Sequence, residues 1–333
     1  MGFAATQPAL AIAEKQNYQS GMQSVVQPPL LKKGDRVAII APAFSRVDAK
    51  ERVAEAVQVL RSWGLEVVLG EHLYAKHQQF AGTDADRVAD LQHALDSPTI
   101  RAIFTFRGGY GMNRIIDGID TQGLQRSPKW VIGFSDITTL LLKLHCQANV
   151  VGIHGEMALH FGMPAYKSSV ESLRQLLFRG TAQLSAPAHL QNRLGRVKAP
   201  VVGGNLTTLC SHLGTNLELD TRGKILVLED IGEKDYAIDR MMIQLKRAGK
   251  LQHLAGLVVG YFSATTWNNV FEHKSVEAII KAHVHEHSYP VAFGFPIGHE
   301  APNLAFPYGA VGALCVQSQQ ATLLFGSNKA TVN

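Results

Sequence analysis

Ser135 lies in the run WVIGFSDITTLLLKLH, between an apolar segment that reads as a strand and another that reads as a helix. A serine there can do two things. It can cap the helix, its hydroxyl accepting a backbone N–H. It can also sit on a nucleophile elbow, where strand, sharp turn and helix thrust the hydroxyl outward and the next N–H can face an oxyanion. GFSDI lacks the second glycine of GxSxG, so the local sequence leaves both readings open. A second feature, RGGYG at residues 107–111, follows the apolar run IRAIFTF. Adjacent glycines reach conformations closed to other residues and bring bare N–H groups close to a ligand, so one could serve as an oxyanion donor. A tight turn and a phosphate cradle are the rival readings. GGYGMNR is not GxGxxG, and no P-loop sequence occurs, which disfavours nucleotide binding.

A serine nucleophile needs a base, and the base needs a carboxylate to orient it. KILVLEDIGE carries an apolar strand into Glu229 and Asp230, and FPIGHEAPN puts His299 in a Gly- and Pro-rich loop after another strand. Singly these are ordinary; Ser, Glu and His at three strand ends, in that order, match triads that use a glutamate. A competing constellation is HVHEH, with His283, His285 and His287. On a helix His283 and His287 would share a face at i and i+4, which is metal-ligand spacing. No third ligand is visible and HExxH is absent, so neither metal nor cofactor is expected.

The elements that must position these residues follow from periodicity. GDRVAIIAP contains a strand at Arg36 to Ile40, and Asp48 to Trp63 is a helix with Val53, Val57 and Leu60 on one face. LEVVL is a second strand, Asp84 to Asp96 a helix, RAIFTF a third strand, WVIGF a fourth and VVGI a fifth. This alternation implies a flavodoxin-like parallel sheet over residues 31–155, with its site at the carboxyl ends of the strands. Residues 156–196 hold one helix and read as an interdomain connection. Residues 197–333 read as a β-rich, mixed α+β domain, with strands at 224–229, 255–261, 290–294, 311–316 and 320–325 and helices at 205–213, 236–248 and 275–287. The whole is α/β in class.

The 333 residues, 46% hydrophobic and 18% charged, suit a soluble globular protein of two modest domains. The net charge of +5 comes from 32 Lys and Arg scattered among 27 Asp and Glu, which argues for anionic ligands and against nucleic acid. Cys146, Cys210 and Cys315 lie far apart in apolar surroundings and read as buried thiols. No apolar run reaches the ~18 residues of a membrane span. Residues 1–30, rich in Ala, Gln and Ser, read as a disordered leader or the remnant of an export signal.

With these residues assembled, the sequence closely resembles the LD-carboxypeptidase family of serine peptidases. The likeness runs from about Lys33 to Gly326 through GDRVAIIAP, AGTDADRVADL, IRAIFTFRGGYG, VIGFSDIT, GIHGEM, VGGNLTTL, LVLEDIGEKDYAIDRMM and PIGHEAPN. The resemblance implies Ser135 as nucleophile, Glu229 as orienting acid and His299 as base, with the N–H groups of Gly109 and Asp136 as oxyanion hole. It implies substrate contacts from Arg107, Gly108, Tyr110, Asn205 and Arg240. The terminal carboxylate needs a fixed cation, for which Arg107 and Arg240 are candidates, although Arg240 could instead pair with Asp239. The implied reaction removes the terminal D-alanine from murein tetrapeptides in cell-wall recycling, in the cytoplasm unless the leader directs export, by a protein that forms homodimers. Two alternatives stand: a microcin-C-type immunity peptidase acting on an acyl-adenylate, and a non-catalytic small-ligand binding protein. HGEM departs from the family pattern, since Glu156 replaces the usual proline, which touches substrate contacts rather than the triad.

Overall fold

The computed structural model describes residues 25–267 and 275–326. Most of the expected leader, up to residue 24, lies outside them. The first sheet is built from β1 (Arg36–Ile40), β2 (Glu66–Leu69), β3 (Ile100–Thr105), β4 (Trp130–Gly133) and β5 (Gly152–His154). These run parallel in the order β2-β1-β3-β4-β5, the order of a flavodoxin-like sheet. Both β4 and β5 are wholly buried, which is why they read as unbroken apolar runs rather than as alternations. The helices Ala49–Ser62 and Asp84–Asp96 fall where the periodicity predicts them. The second opens on a capping box in which Thr83 and Asp86 bond each other's backbone.

A sixth strand of this sheet comes from far along the chain. β11 (Phe306–Tyr308) lies antiparallel on β5, Phe306 facing His154. The sequence reading places no strand there, because three residues with a central proline give no periodicity. Proline is tolerated at a sheet edge, and β11 is one.

The second sheet has the order β10-β9-β8-β7-β12-β13-β6, with β6 at Ala182–Pro187, β7 at Gly195–Asn205, β8 at Ile225–Ile231, β9 at Gly256–Ser263, β10 at Val291–Ala292, β12 at Val311–Val316 and β13 at Gln320–Phe325. β7 to β10 are parallel, whereas β7, β12, β13 and β6 are antiparallel, so the sheet is mixed, as expected. β6 and the long β7 are absent from the sequence reading. β6 is an edge strand with every second residue exposed and a proline at its end, and β7 starts at Gly195 and passes through Gly203 and Gly204.

Gly203 and Gly204 let β7 lie close to its neighbours, Gly203 against β8 in its own sheet and Gly204 against Thr138 and His154 of the first domain. Gly203 and Gly204 take φ of +126° and +120°; a Cβ on Gly203 would lie 2.0 Å from the Val227 carbonyl oxygen, and one on Gly204 2.9 Å from Thr138 Oγ1. Neither position has room for a side chain, and both conformations favour glycine. Buried residues of both sheets form one hydrophobic cluster.

The three cysteines are free, but only Cys210 is buried. Cys146 is exposed in a π-helical turn (Leu144–Ala148), its neighbours Leu144 and Ala148 facing inward. Cys315 falls on the less buried face of β12, whose side chains alternate. No helix among the described residues is long and apolar enough to cross a membrane.

Candidate active site

Ser135 follows β4 at its carboxyl end and opens a short 3-10 turn, Ser135–Ile137, that leads into the helix Thr138–Lys143. Its φ is +63°, a left-handed conformation that is uncommon for serine. A cap residue normally has extended backbone and accepts an N–H from the following turn. Phe134 holds the extended position here, and no side-chain cap bond is made. The turn is tight because Gly133 lacks a side chain: a Cβ there would lie 2.6 Å from both Ile137 Cγ2 and Thr105 Oγ1. Of the two glycines in GxSxG, the first is the one this turn demands.

The Ser135 hydroxyl instead meets His299, with 2.9 Å between Oγ and Nε2. His299 Nδ1 donates to Glu229 Oε2 at 2.8 Å. Glu229 is fully buried in β8, where the register with β9 shifts between Leu228 and Asp230. Such a bulge re-aims a side chain. Asp230, its neighbour, turns elsewhere and is held by Asn205 Nδ2 (2.8 Å), Thr207 N (2.9 Å), Thr207 Oγ1 (2.8 Å) and Ile231 N (2.8 Å). The sequence offered two adjacent carboxylates; the fold assigns one to the histidine and saturates the other.

The loop carrying His299 is fixed by residues that the sequence reading did not single out. Gly298 has φ +124°, and a Cβ on it would lie 3.0 Å from Glu229 Oε2. Asn303 Oδ1 accepts the Gly298 N–H at 3.0 Å, while the Asn303 N–H donates to Ser169 Oγ at 2.9 Å. Gly298 and Asn303 both lie in PIGHEAPN, so the signal was in the block rather than in either residue. Burial alone would lower the pKa of His299, but the hydrogen bond and charge of Glu229, with the charges of Asp230 and Glu156 behind it, raise it above its ordinary 6.5. Phe134 shields the imidazole, ring centroids 5.0 Å apart. Close by, His154 is buried between Phe134 and Phe306, and burial pushes its pKa down to about 4, so its ring is neutral at pH 7.

RGGYG lies against this elbow. A Cβ on Gly108 would sit 3.4 Å from Ser135 Cβ and 3.5 Å from the Asp136 nitrogen. Gly109, φ +104°, packs where a side chain would collide with Phe44 at 2.4 Å. Arg107 lines a groove of about 490 Å³ with Phe44, Arg46, Tyr74 and Lys76. Its guanidinium donates to the Ser45 carbonyl at 3.1 Å and forms no ion pair among the described residues. Partial burial lowers its pKa, aided by the charge of Arg46. Tyr110 is about half exposed beside Phe80. Asn205 is buried and committed to the architecture, its Oδ1 capping the helix Leu206–Ser211 through Thr208 N (3.0 Å). Arg240 is exposed, 5.7 Å from the Tyr236 ring, and Asp239 pairs with His283 rather than with it.

Glu156 is fully buried and accepts from His160 Nδ1 at 2.7 Å and from Met157 N at 3.1 Å. HVHEH does not form the helical pair that the competing metal reading needs, and the helix expected at 275–287 is shorter. The helix Val276–Val284 ends before His287, which stacks on Tyr289, while His285 bonds the Ala282 carbonyl. Among the described residues no cluster of three or more His, Cys, Asp or Glu could hold a metal ion.

Comparison with known proteins agrees over most of the length. The LD-carboxypeptidase N-terminal domain model matches residues 37–155 and the LD-carboxypeptidase C-terminal domain model residues 198–314. A probable murein peptide carboxypeptidase of Bacillus subtilis is 37% identical over 306 residues, covering 90% of this chain and 95% of the relative. The murein tetrapeptide carboxypeptidase of Pseudomonas aeruginosa is 34% identical, covering 84% and 92%. The crystal structure of muramoyltetrapeptide carboxypeptidase from Oxalobacter formigenes superposes with a TM-score of 0.79 at 27% identity, covering 88% of this chain and 99% of that one. The microcin C7 self-immunity protein MccF has the same fold, with a TM-score of 0.79 at 21% identity over 89% and 97% of the two chains. On the strength of two domain models that together span most of its sequence, the chain belongs to the LD-carboxypeptidase family.

Proposed function

We propose that this protein is a serine-type LD-carboxypeptidase that removes the terminal D-alanine from murein tetrapeptides, with Ser135, His299 and Glu229 as its catalytic triad. The observation that carries this reading is the unbroken contact from Ser135 Oγ through His299 to Glu229, at 2.9 and 2.8 Å, assembled from two different sheets. A binding protein has no use for that alignment. His299 Nε2 takes the hydroxyl proton as Ser135 Oγ attacks the scissile carbonyl carbon, and Glu229 holds the imidazole with Nδ1 protonated. The N–H groups of Gly109 and Asp136 receive the oxyanion. The proton on Nε2 then passes to the departing D-alanine amine, and water, activated by the same nitrogen, hydrolyses the acyl-enzyme.

Arg107 suits the terminal carboxylate better than Arg240 does. It is partly buried, forms no ion pair among the described residues and precedes the glycines beside Ser135, whereas Arg240 is exposed to water. A guanidinium held in a partly dry groove gains most from a bidentate anion. The murein reading is supported by relatives named for murein peptides at 34–37% identity. We further propose a cytoplasmic homodimer; cell fractionation and light scattering test these two points. The decisive experiment is mass spectrometry of a murein tetrapeptide before and after incubation, with an aminoacyl-adenylate analogue in parallel. Loss of one alanine from the tetrapeptide alone is expected. Cleavage of the adenylate analogue alone would replace this reading with the immunity-peptidase one.

A further inference from the structure

We infer that the carboxyl group of Asp136 and the guanidinium of Arg87 together form a clamp that positions the glycine-rich loop over Ser135. The inference rests on the proposed peptidase reading, in which this loop supplies an oxyanion donor.

The clamp grips a single peptide unit. The carbonyl oxygen of Gly111 accepts from Arg87 Nη1 at 3.0 Å, and the N–H of Met112, the other end of the same amide plane, donates to Asp136 Oδ2 at 2.9 Å. A cation holds one end of the amide dipole and an anion the other, so the plane can neither rotate nor translate without losing a charge-assisted bond. Arg87 is itself fixed: Nη1 donates to the Pro42 carbonyl at 2.8 Å, Nη2 pairs with Asp84, and the guanidinium lies 4.7 Å from the Phe80 ring centre. Gly111 has φ +147°, and a Cβ there would lie 2.6 Å from Arg87 Nη1, so a side chain would displace the clamp.

Both partners are buried, Arg87 1% and Asp136 7% exposed, so neither reaches substrate. They act through the backbone. Asp136 immediately follows Ser135, so one residue carries a proposed oxyanion N–H on its backbone and fastens the loop bearing the other with its side chain. Arg87 comes from the helix Asp84–Asp96, within the block AGTDADRVADL.

Burial raises the Asp136 pKa from 3.8 to about 6, against the pull of the Met112 and Gly111 N–H groups and of Arg87. The charged groups around it are Arg87, with Asp84 and Arg114 behind it, and His299 across Ser135. Between pH 3.8 and 6 the folded state holds a proton that the unfolded state has released, so stability falls as pH rises through that window. At pH 8 the ionised carboxylate therefore destabilises the fold, and a neutral amide of the same shape does not.

That sign separates a positioning role from a structural one. In the full-length protein, Asp136→Asn is expected to lower kcat about 10- to 100-fold with KM within about threefold, because a small misplacement of a donor is costly to the transition state. Its Tm at pH 8 should be equal to or above that of the wild type. Affinity for a peptide boronic acid, which forms a tetrahedral adduct on the serine, should fall in step with kcat/KM. Substrate peptide should bind Ser135→Ala and Ser135→Ala/Asp136→Asn with the same Kd. The acid limb of kcat/KM should steepen toward two protons below about pH 6 in the wild type, from His299 and Asp136, and follow one proton in Asp136→Asn. Unchanged kcat in Asp136→Asn, or loss of kcat and Tm together, overturns the clamp. A wild-type protein that releases no D-alanine sinks the peptidase reading and the clamp with it; an active wild type beside an equally active Asp136→Asn sinks the clamp alone.

Discussion

Two histidine–carboxylate pairs in this molecule are almost the same length. His299 Nδ1 lies 2.8 Å from Glu229 Oε2, and His283 Nε2 lies 2.7 Å from Asp239 Oδ1. Distance does not distinguish them; surroundings do. The Glu229 side chain is fully buried, whereas that of Asp239 is about a quarter exposed. The second nitrogen of His299 continues to a hydroxyl held on a left-handed turn. His283 bridges two helices, Asp235–Arg247 and Val276–Val284, and among the described residues leads to no hydroxyl. A histidine–carboxylate pair is thus a common piece of architecture. What makes one a candidate catalytic pair is a third group in line and burial that keeps water from screening the carboxylate.

The comparison breaks most easily at the serine. Ser135→Ala and His299→Ala are each expected to reduce turnover of a murein tetrapeptide on the order of 10⁴- to 10⁶-fold, with the double variant scarcely worse, because under the proposed triad the two residues act as one unit. Thermal melts of the same proteins should stay near the wild type, since Ser135 caps no helix. A Ser135→Ala protein that still releases D-alanine at wild-type rate would make the two pairs equivalent.

Glu229→Gln tests the buried carboxylate. It keeps the shape but removes the charge that offsets burial of His299, and turnover should fall about 10³- to 10⁴-fold. The sign of the pH effect follows from the raised pKa of His299. The base is active when neutral, so wild-type kcat/KM falls as pH drops through a value above 6.5. Without Glu229 the imidazolium loses its main support, and the limb should move toward acid. A limb that stays in place would mean that Glu229 does not govern the histidine.

These expectations show what a sequence can and cannot reveal. Elements buried on both faces, such as β4, announce themselves as apolar runs, and helices such as Asp84–Asp96 by their 3.6-residue periodicity. Ser135 and His299 were legible because each follows an apolar run at a turn or loop, and Glu229 because it interrupts the apolar run KILVL, although β8 continues past it to Ile231. β6, β7 and β11 were not, because half-exposed, glycine-containing or three-residue strands take their shape from partners distant in the chain. The same holds for Arg87: its sequence says surface helix, and only the close approach of Gly111 and Pro42 makes it interior. Nor could the strand pattern alone choose between Glu229 and Asp230, a choice that only the resemblance made, since the bulge that separates them belongs to the pairing of β8 with β9.

Gly298→Ala sharpens the comparison without touching a functional group. Alanine at φ +124° is strained by about 1–3 kcal/mol, and its methyl would press on Glu229 Oε2. Turnover should fall about 10- to 100-fold through displacement of His299, and the melting temperature should drop modestly. An unchanged rate would show that the loop relaxes around the methyl.

The smallest effect is expected at the other pair. Asp239→Asn keeps the shape of the helix and a hydrogen bond to His283 while removing the charge. The pair is partly exposed and bridges only two helices, so the loss is about 0.5–1 kcal/mol, read as a small fall in melting temperature that shrinks further in high salt. Turnover should stay within about twofold. His283→Gln should behave alike, and so should the wild type with a chelator, because His285 and His287 are turned to other partners rather than gathered with His283 around a shared point. If either substitution, or a chelator reversed by zinc, removed most of the activity, the HVHEH segment would be part of the chemistry. The two pairs would then differ in kind for a reason other than the alignment of Ser135, His299 and Glu229.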